Sequence, residues 1–131
     1  EQIVDSAAHY GLDPQLVMAV IHVESRGNVY ALSRVGAMGL MQIMPGTWSM
    51  LSARHGLGSD PFDVRANILG GAAYLRAMWD RYRNVSLMLA AYNAGPGNVN
   101  KWLRANGDPR KGSISWVEWI EKIPFFETKV I

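Results

Sequence analysis

A chain of 131 residues that is 49% hydrophobic can bury one substantial core, and it is too short for two ordinary domains. Without cysteine it has neither a disulfide framework nor a cysteine-held metal site, and His9, His22 and His55 lack paired-ligand spacing, so no metal or other cofactor is expected. A net charge of +2 from dispersed basic residues argues against nucleic acid as a partner, and no apolar run approaches the roughly 20 residues of a membrane-spanning helix.

From Ile3 to Tyr10 the pattern fits a short helix that Gly11 stops. Asp13 can cap the next helix and Pro14 suits its first turn, which predicts a helix from Pro14 to about Ser25. Leu16, Val17, Val20, Ile21 and Val23 give that helix a broad apolar surface, and Glu24 follows Val20 and Val17 at spacings of four and seven. Between Arg26 and Gln42 no helical period is sustained, and Ser33, Gly36 and Gly39 suggest a loop able to approach a ligand closely.

Pro45-Gly46-Thr47, followed by Trp48, Met50 and Leu51, predicts a helix running towards His55-Gly56. Asp60-Pro61-Phe62-Asp63 reads as a turn and cap before a long helix from about Val64 to Tyr82, in which Gly70-Gly71 lowers helicity and suggests close packing. Ser86 to Asn93 reads as a short buried helix stopped by Ala94-Gly95-Pro96-Gly97, with a further helix over Asn98 to Asn106. A polar connector over 107–114 leads to a last helical face of Trp116, Val117, Trp119, Ile120 and Ile123 before Pro124, and a short segment follows over 125–131. The expectation is one mainly α domain, with chemistry at helix ends and loops. At these spacings the five tryptophans are better read as core than as sugar platforms.

Glycosidic cleavage needs a proton donor that keeps its proton near neutral pH, and an apolar setting favours the neutral form of a carboxyl. Glu24, at the end of a core-facing stripe, suits that role, although the same pattern fits a structural helix-end glutamate. The other parts of the chain narrow the choice. Glu24-Ser25 is followed by Gly36-Ala37-Met38-Gly39-Leu40-Met41-Gln42-Ile43-Met44-Pro45 and then by Ala91-Tyr92-Asn93-Ala94-Gly95. This ordered set resembles the catalytic domain of the bacterial lytic transglycosylases, over about the whole chain.

The resemblance implies a compact lysozyme-like helical domain of the goose-type lysozyme kind, with a substrate cleft, occupying residues 1–131. It implies action on the β-1,4 bond between N-acetylmuramic acid and N-acetylglucosamine in peptidoglycan glycan strands. Glu24 matches the acid/base of that family: it would protonate the leaving oxygen and then take the proton of the muramic acid C6 hydroxyl, which attacks C1 to give a 1,6-anhydro end. Ser25 would orient the substrate or the carboxyl, Met41 and Gln42 would contact sugars, Tyr92 would support the carboxyl region and Asn93 would hold polar sugar substituents. Ile120-Glu121-Lys122-Ile123-Pro124 resembles a fourth motif, in which Glu121 would contact substrate or tune the cleft. Near the chain end Lys129 stands where relatives often have Arg, and Ile131 where Tyr is frequent.

Each of these residues also has a plainer reading. Ser25 can bond local backbone, Asn93 can be a helix cap, Tyr92 can be packing and Glu121 a solvated carboxylate. Two rival functions share the pattern: a hydrolytic muramidase on the same scaffold, and a noncatalytic peptidoglycan-binding or assembly module. The resemblance places action in the bacterial cell envelope, in the periplasm, with envelope or secretion-apparatus partners conceivable. Glu1 opens directly into an amphipathic segment rather than an export signal, so the sequence reads as a mature domain or a fragment excised from a longer protein.

Overall fold

In the computed structural model, residues 1–124 are described; the expected segment over 125–131, with Lys129 and Ile131, lies outside them. Seven α-helices and one 3₁₀ turn make up the regular structure of the described residues, which divide into two compact units, Glu1–Ala77 and the chain from Met78 onward.

The first unit begins with α1 (Gln2–His9) and α2 (Pro14–Ser25), which pack on each other. Local chemistry sets both ends of α2. The Asp13 carboxylate accepts the Gln15 N–H at 2.8 Å, Pro14 occupies the first turn, and Arg26 closes the helix in the left-handed conformation at φ 54°. Val17, Val20 and Ile21 are buried, so the stripe that ends at Glu24 is a core stripe.

A loop then runs to α3 (Pro45–His55), and a turn leads to α4 (Val64–Tyr82), whose last residues belong to the second unit. Gly70 and Gly71 do serve close packing. Gly70 faces Leu57, Ile43 and Trp48, and a methyl group on Gly71 would come within 2.7 Å of the Met41 Cβ. The helicity lost at these two positions is therefore exchanged for contact between α4 and the loop.

The second unit continues from the end of α4 into α5 (Val85–Ala94), α6 (Pro96–Asn106), the 3₁₀ turn Pro109–Lys111 and α7 (Trp116–Lys122). α6 starts at Pro96 rather than at the expected Asn98, because Gly95 alone makes the break between α5 and α6. At φ 89° and ψ 147° Gly95 occupies a region essentially reserved for glycine, while its N–H still bonds Ala91 O at 2.8 Å. Pro96 then fits the first turn of α6, where its missing N–H costs nothing.

The 107–114 connector is more structured than a polar linker. Arg110 grips the Asp108 carboxylate through both Nε (3.0 Å) and Nη2 (2.8 Å), and its Nη1 reaches Tyr82 O at 3.2 Å. Trp48, Trp102 and Trp119 are core residues, the last two meeting edge to face at 6.3 Å, whereas Trp79 and Trp116 are half-buried.

Candidate active site

Within the first unit, the candidate residues lie on the last turn of α2 and on the loop that follows it. Glu24 is half-buried, one helical turn beyond fully buried Val20. The core-facing stripe of α2 therefore ends at a helix terminus on a half-buried carboxyl-bearing residue. Ser25 is committed to local backbone: its hydroxyl donates to Ile21 O at 3.1 Å and accepts from Gly27 N at 3.2 Å. With its one proton used in this way, the side chain is left with acceptor capacity only.

The loop carrying Gly39-Leu40-Met41-Gln42 is folded by its own backbone into two linked turns. Ser33 N donates to Ala37 O at 2.9 Å, and Met38 exchanges N–H···O bonds of 3.0 Å with Ile43 in both directions. Met38 thus bridges Leu32 on one side and Ile43 on the other. Gly39 sits at φ 76°, and its N–H donates to Ala31 O at 2.7 Å.

Gln42 has φ 52°, an uncommon conformation for a residue with a side chain and a mark of a site held by its surroundings. Its Nε2 donates to Ala31 O at 3.1 Å and to Gly39 O at 2.9 Å. The amide nitrogen therefore clamps the loop, while Oε1 has no partner in the described structure and can accept a bond from a ligand hydroxyl or amide. Met41, in contrast, is fully buried against Gly71, so its side chain is a packing anchor.

Sequence reasoning missed Asn67. This α4 residue is 1% exposed, yet its amide is fully occupied. Its Oδ1 accepts Met41 N at 2.8 Å, and its Nδ2 donates to Met38 O at 3.0 Å and Pro61 O at 2.8 Å. With one N–H on one side and two carbonyls on the other, only this orientation of the amide satisfies all the partners. Gly39 is required here as well, because a methyl group on it would lie 2.9 Å from the Asn67 Cγ. The available sequence signal is a carboxamide inside the apolar stripe of a long helix, one turn before Gly71.

In the second unit, Tyr92 and Asn93 form the last turn of α5 just before the Gly95 break, with Tyr92 buried and Asn93 half-buried. The Asn98 amide donates to Ala94 O at 2.8 Å and so ties the end of α5 to the first turn of α6. Glu121 is exposed near the end of α7. Among the titratable groups here, Tyr82 is raised above the usual phenol value mainly by burial, which nearby Arg81 and Arg110 oppose. Asp108 is held below the usual carboxyl range chiefly by its hydrogen bond to Arg110.

The first unit also holds a pocket of about 450 Å³, between α1, the end of α3 and the start of α4, with Asp5, His9, Tyr10, His55 and Arg65 on its walls. None of the candidate residues lines it. Among the described residues, no group of three or more His, Cys, Asp or Glu side chains is placed to hold a metal ion, and no helix is long and apolar enough to cross a membrane.

The mainly helical fold is of the lysozyme-like class seen in lytic transglycosylases. The chain belongs to the Transglycosylase SLT domain family, whose model matches residues 1–114. It is 42% identical over 111 residues to a transglycosylase of Enterobacteria phage PRD1, covering 85% of this chain and 40% of that protein. It is 40% identical over 118 residues to the soluble lytic murein transglycosylase of Escherichia coli K12, covering 86% of this chain and 18% of that one.

Among solved structures, an inactive glutamate-to-glutamine mutant of the lytic transglycosylase Slt from Pseudomonas aeruginosa superposes with a TM-score of 0.83 at 36% identity, over 98% of this chain and 21% of that one. A complex of the 70-kDa soluble lytic transglycosylase with bulgecin A gives a TM-score of 0.85 at 34% identity, again over 98% and 21%. The chain thus spans from about a fifth to two fifths of the length of these relatives.

Proposed function

We propose that residues 1–131 are the catalytic domain of a peptidoglycan lytic transglycosylase acting in the bacterial cell envelope, with Glu24 as its one acid/base. The observation that carries this reading is the family match across residues 1–114, which includes Glu24 on the final turn of α2 and the clamped loop that presents Gln42. A related structure described as inactive after a glutamate-to-glutamine change supports assigning the chemistry to a single carboxyl.

In the proposed reaction the Glu24 carboxylic acid protonates the glycosidic oxygen between N-acetylmuramic acid and N-acetylglucosamine as the bond to C1 breaks. The resulting carboxylate accepts the proton of the muramic acid C6 hydroxyl, whose oxygen bonds to C1. The products are a 1,6-anhydromuramyl end and a free N-acetylglucosamine C4 hydroxyl, with no water consumed and Glu24 protonated again. Gln42 Oε1 accepts from a sugar hydroxyl or acetamido N–H, and the family match is the ground for giving Tyr92 and Asn93, in the second unit, supporting roles in the reaction. Ser25 contributes an acceptor, Met41 sets the loop's position from beneath, and Glu121 contributes a secondary carboxylate.

Digestion of purified peptidoglycan followed by mass spectrometry of the muropeptides tests this directly. Anhydro ends, each one water lighter than a hydrolysed end, are expected from the wild type. Their loss is expected in Glu24→Gln, with glycan binding retained. Reducing ends alone would replace the reading with that of a hydrolytic muramidase; no cleavage at all would leave a noncatalytic binding module.

A further inference from the structure

Outside the residues already assigned, the most unusual surface lies on the same loop. Tyr30 is 77% exposed, Leu32 66% and Val35 75%, three large apolar side chains within six residues that face solvent. Isolated exposed apolar residues need no explanation, but a cluster on one short segment marks a contact surface. We propose that Tyr30, backed by Phe62, is an aromatic sugar subsite that extends the glycan contact of the Gln42 loop. This inference rests on the glycan-cleaving reading above.

Three observations support it. First, the Tyr30 and Phe62 rings lie 6.3 Å apart with a 38° tilt, and Phe62 is only half-exposed. Phe62 thus braces one side of the tyrosine and leaves the remaining ring surface to solvent. A braced aromatic ring loses little conformational freedom when a ligand covers it.

Second, both rings are mechanically joined to the candidate loop. Tyr30 N donates to Asn28 Oδ1 at 3.0 Å, and the next residue, Ala31, uses its carbonyl to accept both Gly39 N and Gln42 Nε2. Phe62 follows Pro61, whose carbonyl accepts from Asn67 at 2.8 Å. The bonds that orient Gln42 and hold its loop therefore also anchor the backbone beside both rings.

Third, the composition of the segment matches a neutral, polyhydroxylated ligand. From Asn28 to Met44 the only charged residue is Arg34. A sugar ring of an N-acetylhexosamine presents an apolar C–H face and an acetyl methyl group, flanked by hydroxyl and amide donors. The loop offers the complementary pair, an aromatic face at Tyr30 and the Gln42 carboxamide oxygen.

The test uses two measurements on the full chain. Turnover of purified glycan strands gives kcat and KM for the wild type and for Tyr30→Ala and Tyr30→Phe. Binding of soluble peptidoglycan fragments to the Glu24→Gln chain, with and without each Tyr30 change, is followed by titration and by the ring-proton NMR shifts of Tyr30. Covering one ring face buries about a third of the roughly 150–250 Å² that an aromatic side chain can bury. At the usual yield of apolar burial this amounts to roughly tenfold in affinity.

Tyr30→Ala should therefore raise KM and the fragment Kd by roughly tenfold with kcat unchanged, and Tyr30→Phe should stay near wild type. The wild-type ring protons should shift on fragment binding. A Kd within twofold of the parent in Tyr30→Ala, or unmoved ring protons, overturns the subsite. An equal loss in Tyr30→Phe also overturns it, because the hydroxyl and not the ring face would then be in contact. If the wild type cleaves nothing yet the fragments bind through Tyr30, the catalytic reading fails while the subsite stands.

Discussion

Replacing Asn67 with alanine should release the loop that presents Gln42. The substitution removes three hydrogen bonds of 2.8, 3.0 and 2.8 Å in one step. Met41 is fully buried, so removing the Asn67 acceptor from its N–H costs about 1–3 kcal/mol. Met38 and Pro61 are half-buried, and water can re-solvate their carbonyls, which limits each loss to about 0.5–1.5 kcal/mol. Alanine's better helix propensity returns about 0.6 kcal/mol. A net destabilisation of about 1.5–5.5 kcal/mol follows, a large part of the roughly 5–15 kcal/mol that holds a typical domain.

Urea unfolding followed by circular dichroism reads the total, and hydrogen exchange at the Met41 amide reads the local effect. Protection at Met41 should fall in Asn67→Ala by more than at Val20, inside α2. Asn67→Asp provides an internal control. It keeps an acceptor for Met41 N–H but sets an ionised oxygen against two carbonyls, and it should be no better than alanine. A loss under about 1 kcal/mol, with the Met41 amide exchanging as slowly as in the wild type, would show that the carboxamide does not hold the loop.

Gly71→Ala should cost about 1–3 kcal/mol in urea unfolding, because the new methyl meets the Met41 side chain and forces it aside; a neutral or stabilising outcome would mean that Met41 repacks freely. Tyr82 donates its one hydroxyl proton to a site shared between Asn100 Oδ1 at 2.8 Å and Pro96 O at 3.2 Å, so Tyr82→Phe should lose about 0.5–1.5 kcal/mol, and an unchanged stability would refute the bond. Arg110→Ala should lose stability in a pH-dependent way. The Asp108 carboxyl lies below its ordinary value of 3.8 in the folded chain, so its contribution is complete above that value and disappears as pH falls through the lowered one. The gap between wild type and Arg110→Ala should therefore widen as pH rises from about 2 to about 5, and a gap of constant size would refute the assignment.

The helices were the most legible part of the chain because their signals are local. Asp13-Pro14 starts α2, Val64 and Tyr82 bound α4 as read from its periodicity, and Gly95 stops α5; the start of α6 at Pro96 rather than Asn98 and the left-handed Arg26 come from the structure. A cap, a proline or a left-handed residue acts within one turn, so a short window of sequence contains the cause. The ordered motifs around Glu24, Gln42 and Tyr92 made the family legible in the same way, through residue identity and spacing.

Other features depended on partners far along the chain. Gln42 is singled out by the motif, but its left-handed backbone and the use of Nε2 as a loop clamp depend on the Ala31 and Gly39 carbonyls being brought to it. Asn67 looks like a flaw in an apolar stripe until Met41, 26 residues away, is placed against it. Tyr30 and Phe62 become a pair only when the loop and the turn before α4 meet. Periodicity and capping are properties of neighbouring residues and are enough to place the helices, while the order and spacing of the motifs carry the family resemblance and, through it, the candidate acid. Hydrogen-bond satisfaction and ring contact are properties of residues that folding brings together from distant parts of the chain, so the side chains that hold the loop are visible only in the folded molecule.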